Sequence, residues 1–104
     1  MARPFHHPSA KDLTVDSLLY ALSDPVRRGI VVKLMGCDGM SCNKACDDLP
    51  PSTVSFHHKI LRDAGLIRSE KRGVEVINTV RKADIDKRFP GLLDAVLRHH
   101  KPGK

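Results

Sequence analysis

Ser52-Thr-Val-Ser-Phe-His-His-Lys-Ile-Leu-Arg-Asp-Ala-Gly-Leu-Ile67 is the stretch on which the reading of this chain turns. Val54, His57, His58 and Leu61 recur at three- and four-residue intervals, which places them on one face of an α-helix. The opposite side then carries Ser52, Thr53, Ser55, Phe56, Lys59 and Arg62 or Asp63, short hydroxyls followed by cations. Gly65 supplies a left-handed stop just after Ala64. Residues 66–70 and 74–80 read as two short strands, with Lys71-Arg72-Gly73 as a basic hairpin tip. Pro50-Pro51 marks the upstream limit, because neither proline can donate a backbone hydrogen bond to a preceding helix.

Working upstream, Ser41 can cap a short helix whose inner face is Cys42, Ala45, Cys46 and Leu49. Cys37 to Met40 reads as the loop before it. Asp24-Pro25 is a cap followed by a first-turn proline, and opens a helix that buries Val26, Ile30, Val31 and Leu34 and ends near Gly36. Gly29 inside that helix costs about 1 kcal/mol relative to Ala, so close packing is expected there. Thr14 caps the first helix, where Val15, Leu18, Leu19 and Leu22 form one stripe. Residues 1–12 hold Pro4, Pro8 and His6-His7 without periodicity and read as a flexible arm, the histidines incidental. Downstream, a short helical piece over 84–88 precedes Phe89-Pro90, and a last helix over 91–100 carries Leu92, Leu93, Val96 and Leu97 on one side. Residues 101–104 read as a tail, leaving 13–100 as one folded domain. The fold class is therefore mainly α with a small β-hairpin.

At 104 residues there is room for one domain and little surplus core. Lys and Arg number 18 against 12 Asp and Glu, a net charge of +6 that favours a polyanionic partner. With one Tyr, three Phe and no Trp, a stacking platform for single-stranded bases is disfavoured. No apolar run has the length of a membrane span and no secretory signal is visible at the start, so a cytoplasmic protein without a membrane partner is expected.

The residues Leu22-Ser-Asp-Pro-Val-Arg-Arg28, then Ser52-Thr-Val-Ser55, His57, Lys59, Leu61-Arg62 and Ala64-Gly-Leu-Ile67, resemble the ArsR/SmtB family of bacterial winged helix-turn-helix repressors. Phe89-Pro-Gly-Leu-Leu-Asp-Ala-Val-Leu97 resembles a subgroup of that family, and the agreement runs in order over residues 13 to 98. The resemblance implies a homodimeric, operator-binding transcriptional regulator whose first and last helices build the dimer interface. Leu18, Leu19, Leu92, Leu93, Val96 and Leu97 are the residues expected there. A two-fold dimer would match a palindromic site in double-stranded DNA.

The helix over 51–64 would enter the major groove, with Ser52, Thr53 and Ser55 near base edges or phosphates. Lys59 and Arg62 would reach phosphates at the groove margin, and Lys71 and Arg72 the neighbouring minor groove. Arg27, with Arg28, could hold the flanking backbone, and His57 is counted with the contacts although it falls on the inner stripe. The chain departs from the family pattern at two positions, with Phe56 where Arg or His is usual and His58 where an apolar residue is usual. Phe56 should then point outward and could touch a thymine methyl, with His58 half-inside. Otherwise the helix rotates slightly and both are structural.

Cys37, Cys42 and Cys46 lack the Cys-x-Cys spacing of metal-sensing relatives. Cys37, Cys42 and Cys46, the last two on one helix face, could together bind a soft metal or metalloid ion or sense oxidants. Because Cys42 and Cys46 share that face with Ala45 and Leu49, the favoured reading is that they pack as small core residues. The chain shows no nucleophile–base pair, phosphate loop or paired carboxylates, so no enzyme is expected. A protein-interaction module without DNA binding is the alternative within this fold.

Overall fold

The computed structural model describes residues 5–36, 40–41 and 49–100. The helix expected to start at Ser41, the three cysteines and the 101–104 tail lie outside the described side chains.

Helix α1, Val15–Ala21, starts where Thr14 Oγ1 accepts the Ser17 amide at 3.1 Å, satisfying one of the first-turn amides that lack a helical partner. Leu18, Ala21 and Leu22 are buried, whereas Val15 and Leu19 are 40% and 44% exposed, so only half of the apolar stripe is used within the chain. Helix α2, Pro25–Met35, is capped by Asp24, whose Oδ1 accepts the Val26 and Arg27 amides at 2.7 and 3.3 Å. Burial alone would push the Asp24 carboxyl up. The two amides and the Arg27 guanidinium outweigh it and hold the group below the ordinary carboxylate range. Val26, expected inside, is 40% exposed, and Arg27 takes the buried position beside Ile30, Val31 and Leu34. Gly29 is a second correction, since a Cβ there would meet nothing within 4 Å.

Helix α3, Pro51–Asp63, buries Val54, His57, His58 and Leu61, the stripe expected from spacing. Its end is a Schellman motif: the Leu66 amide donates to Leu61 O at 2.9 Å and the Gly65 amide to Arg62 O at 3.0 Å. Gly65 has φ +87°, and an added Cβ would lie 2.1 Å from a methyl of Leu13. Both the turn and the close approach therefore require glycine.

Strands β2, Ile67–Arg72, and β3, Glu75–Val80, pair antiparallel in a continuous register from Ile67↔Val80 to Arg72↔Glu75. The connecting residues are Gly73, at φ +62°, and Val74, the pattern of a tight hairpin turn with glycine at its first central position. Lys71 and Arg72 thus belong to the strand rather than the tip, because a two-residue turn twists the strands compatibly and shifts the bend one residue on. Met40–Ser41, read as loop and cap, forms a short strand β1 on the other side of β3, giving the order β1-β3-β2.

Helices α4, Lys82–Arg88, and α5, Leu92–Arg98, close the domain. Leu13, Leu18, Leu61, Leu66, Ile67, Ile85 and Leu93 meet in one core that draws on every layer. The segment read as a flexible arm is tied to this body over its described part. Residues Ala10–Asp12 form a 3-10 turn, the Ser69 amide donates to His7 Nε2 at 2.9 Å, and Arg81 donates to Pro8 O at 2.7 Å. A lack of periodicity excluded a regular helix but said nothing about docking.

Candidate nucleic-acid interface

The outer face of α3 is built from the residues that its amphipathic spacing leaves to solvent. Ser52 and Ser55 are exposed and Thr53 is half-buried. Phe56 is 59% exposed and points outward, while His58 is 2% exposed and points inward. His58 lies deeper than expected because its Nδ1 donates to Val54 O at 2.8 Å, which removes the cost of burying that nitrogen. Lys59 lies one turn beyond Ser55 and pairs with Asp63 at 2.8 Å. Both side chains are largely exposed, so this ion pair contributes little and Lys59 can be handed to a phosphate.

The hairpin adds a second cationic patch. Lys71 is exposed, and Arg72 donates twice to one carboxylate oxygen of Glu70, at 2.8 and 3.2 Å. Arg68 is exposed on the same strand and Val74 projects fully from the turn at 98% exposure, two surface residues that the sequence reading did not single out. The one-residue shift of the turn was the signal that could have found Val74. Chemically, the surface offers hydroxyl donors and acceptors, one aromatic face and several mobile cations on two adjoining elements.

Arg62 sits at the border of this surface. Its guanidinium lies 4.5 Å from the Phe5 ring centroid, and it donates to Ser69 Oγ at 3.1 Å. Ser69 Oγ in turn donates to Asn78 Oδ1 at 2.6 Å. Arg62 therefore connects α3 to β2 as well as facing outward.

Two expected contacts are not on the surface. Arg27 is 6% exposed and His57 is 8% exposed. Arg27 donates to Ala21 O at 2.7 Å and Tyr20 O at 3.4 Å, carbonyls at the end of α1, where the helix dipole is negative. Its other amino group faces His57 Nδ1 at 3.3 Å, which makes that nitrogen the acceptor. Arg28 behaves likewise, donating to Leu22 O at 2.7 Å and to His100 Nδ1 at 3.1 Å. The arginines of the Asp24-Pro25 motif thus brace α1, α2, α3 and the C-terminal end, because two adjacent helix ends leave carbonyls needing donors.

Among the residues expected at a subunit contact, Leu18 is 0% and Leu93 1% exposed, so both are spent in the chain's own core and have no surface left for a partner. Leu19 is open, and Leu92, Val96 and Leu97 are partly buried against the core. Among the described residues no group of three or more His, Cys, Asp or Glu could hold a metal ion. No described helix is long and apolar enough to cross a membrane.

Comparison with known proteins agrees with this geometry. Residues 22–70 match the family model described as a helix-turn-helix domain, a span from the end of α1 into β2. A search of curated proteins gives no match. Among solved structures, the fold is similar to that of an ArsR family transcriptional regulator, with 22% identity and a TM-score of 0.66 over 78% of this chain and 90% of that one. It is also similar to the transcriptional repressor PagR of Bacillus anthracis, at 22% identity and TM-score 0.61, again covering 78% of this chain and 90% of that one. The transcriptional repressor BigR from Xylella fastidiosa aligns at 21% identity and TM-score 0.65, covering 86% of this chain and 88% of that one. Residues 22–70 are therefore similar to a helix-turn-helix domain, and the chain has the winged helix-turn-helix fold of these solved structures, an ArsR family transcriptional regulator and two transcriptional repressors.

Proposed function

We propose that this protein is a cytoplasmic, sequence-specific DNA-binding regulator that acts as a homodimeric repressor on a palindromic operator and is released by a signal. The observation that carries this reading is the exposed face of α3, where Ser52, Ser55, Phe56 and Lys59 stand outward while the inner face is fully packed. The adjoining hairpin extends that surface with Lys71 and Arg72. In this reading α3 lies in the major groove, where the small hydroxyl side chains let its backbone approach the bases. Phe56 then meets thymine methyl groups, and the hairpin cations hold phosphates beside the groove. Exposed Val15 and Leu19, with the partly open Leu92, Val96 and Leu97, offer the apolar surface for a second copy.

Salt titration of binding to duplex DNA tests the electrostatic part. Lys59→Ala and Arg72→Ala should each weaken binding on every sequence and reduce the slope of log affinity against log salt by about 1. Unchanged affinity and slope in both variants would remove these residues, and with them this surface, from the interface.

A further inference from the structure

The described segment ahead of α1 makes contacts that a spacer would not make. Strand β2 lies at the edge of the sheet, and the Ser69 amide donates away from it to His7 Nε2 at 2.9 Å. Two residues earlier, Phe5 covers the Arg62 guanidinium, which itself reaches Ser69 Oγ. One residue later, Pro8 O accepts from Arg81 at 2.7 Å, and Pro8 and Leu13 approach Gly65 closely. Three residues of this segment, Phe5, His7 and Pro8, thus touch the end of α3, the edge of β2 and the junction between β3 and α4.

The central contact depends on a titratable group. An imidazole nitrogen accepts a hydrogen bond only while it carries no proton. Facing His7 are Arg62 from α3, Arg68 from β2, Arg81 from the β3–α4 junction and His6 on its own segment. The carboxylate of Asp84 is engaged by Arg81, with two contacts of 3.1 Å. Burial first, then these cations, keep the His7 pKa below the ordinary histidine value. A proton added at Nε2 would point at an N–H group and join a cluster of like charges.

We propose that Phe5–Pro8 is a clip that fixes the angle between α3 and the hairpin, and that protonation of His7 opens it, so that DNA binding weakens on acidification. The effect on DNA rests on the function proposed above; the clip does not. Helix and hairpin must meet one duplex together, so a loosened angle costs affinity even with every contact residue present. The sign follows from linkage. Folding lowers the proton affinity of His7, so the docked clip is fully stabilising above the ordinary histidine pKa. That stabilisation is lost as the pH falls through this value towards the lower one of the docked state.

The test uses the full chain. In an NMR hydrogen-exchange measurement, the protection factor of the Ser69 amide should fall roughly tenfold between about pH 7.5 and about pH 5.5. His7→Gln, which keeps an acceptor oxygen and does not titrate, should hold its protection constant, and His7→Ala should be unprotected at both values. Equal protection of the wild-type amide at both values would overturn the clip, as would a fall in His7→Gln matching that of the wild type. In parallel, fluorescence anisotropy with a random-sequence duplex pool gives the affinity of the wild type relative to His7→Gln, which cancels the charging of other histidines. That ratio should drop several-fold on acidification, and a constant or rising ratio would overturn the coupling. Absence of duplex binding at both values would overturn the DNA reading and the coupling with it, while Ser69 exchange still decides the clip.

Discussion

Positive charge is used in opposite ways on the two sides of α3. On the inner side, Arg27 is enclosed by the end of α1 and His57, and spends its donors on Ala21 O, Tyr20 O and an imidazole nitrogen. On the outer side, Lys59 is 68% exposed at its side chain and shares one contact with an exposed Asp63. The first cation is fixed because it is enclosed and held at once by two carbonyls and an imidazole nitrogen. The second is mobile because water competes for it at every moment. Residue type therefore does not tell which basic groups stay open to solvent; the number of fixed acceptors around each one does.

The contrast can be broken most directly at Arg27. Arg27→Ala takes the Arg27 donor from the carbonyl of buried Ala21 and from His57 Nδ1, and should cost about 3 kcal/mol in urea unfolding. If that variant unfolds at the wild-type midpoint, the distinction between bracing and mobile cations fails. Gly65→Ala comes next, at about 2 kcal/mol, because it combines a strained left-handed residue with a collision against Leu13. A wild-type melting temperature in this variant would mean that the N-terminal segment does not pack over the turn. Gly29→Ala should raise stability by about 1 kcal/mol, since helix propensity is gained with no neighbour displaced. A loss of stability there would reveal a packing partner of Gly29. The smallest effect sharpens the outer side, where Lys59→Ala should leave unfolding within about 0.5 kcal/mol of wild type.

Much of the fold was legible in the sequence because local rules and tertiary demands agree in it. The Asp24-Pro25 cap, the inner stripe of α3 and the Gly65 stop all appear where spacing and side-chain chemistry place them. The candidate surface was legible in part, for the same reason: Ser52, Ser55, Phe56 and Lys59 are what a packed inner stripe leaves outside. Arg27 and His57 were misplaced because helical periodicity describes a side chain's direction and not its acceptors. Long basic side chains can turn back to cap a neighbouring helix. The hairpin tip was misjudged by one residue, since the basic run Lys71-Arg72 draws attention away from the turn geometry that Gly73 permits. The segment from Phe5 to Pro8 was missed altogether, as single side-chain contacts to distant elements leave no periodic trace.

The order of helices and hairpin, their caps and stops, and the amphipathic face of α3 were set by the sequence itself, because each depends on residues within a few positions of one another. Tertiary structure alone decided which cations are buried, that Leu18 and Leu93 belong to the chain's own core, and that His7 meets Ser69. Those outcomes depend on which carbonyls, rings and amides arrive from elsewhere in the fold, and long-range proximity is not encoded in any local spacing.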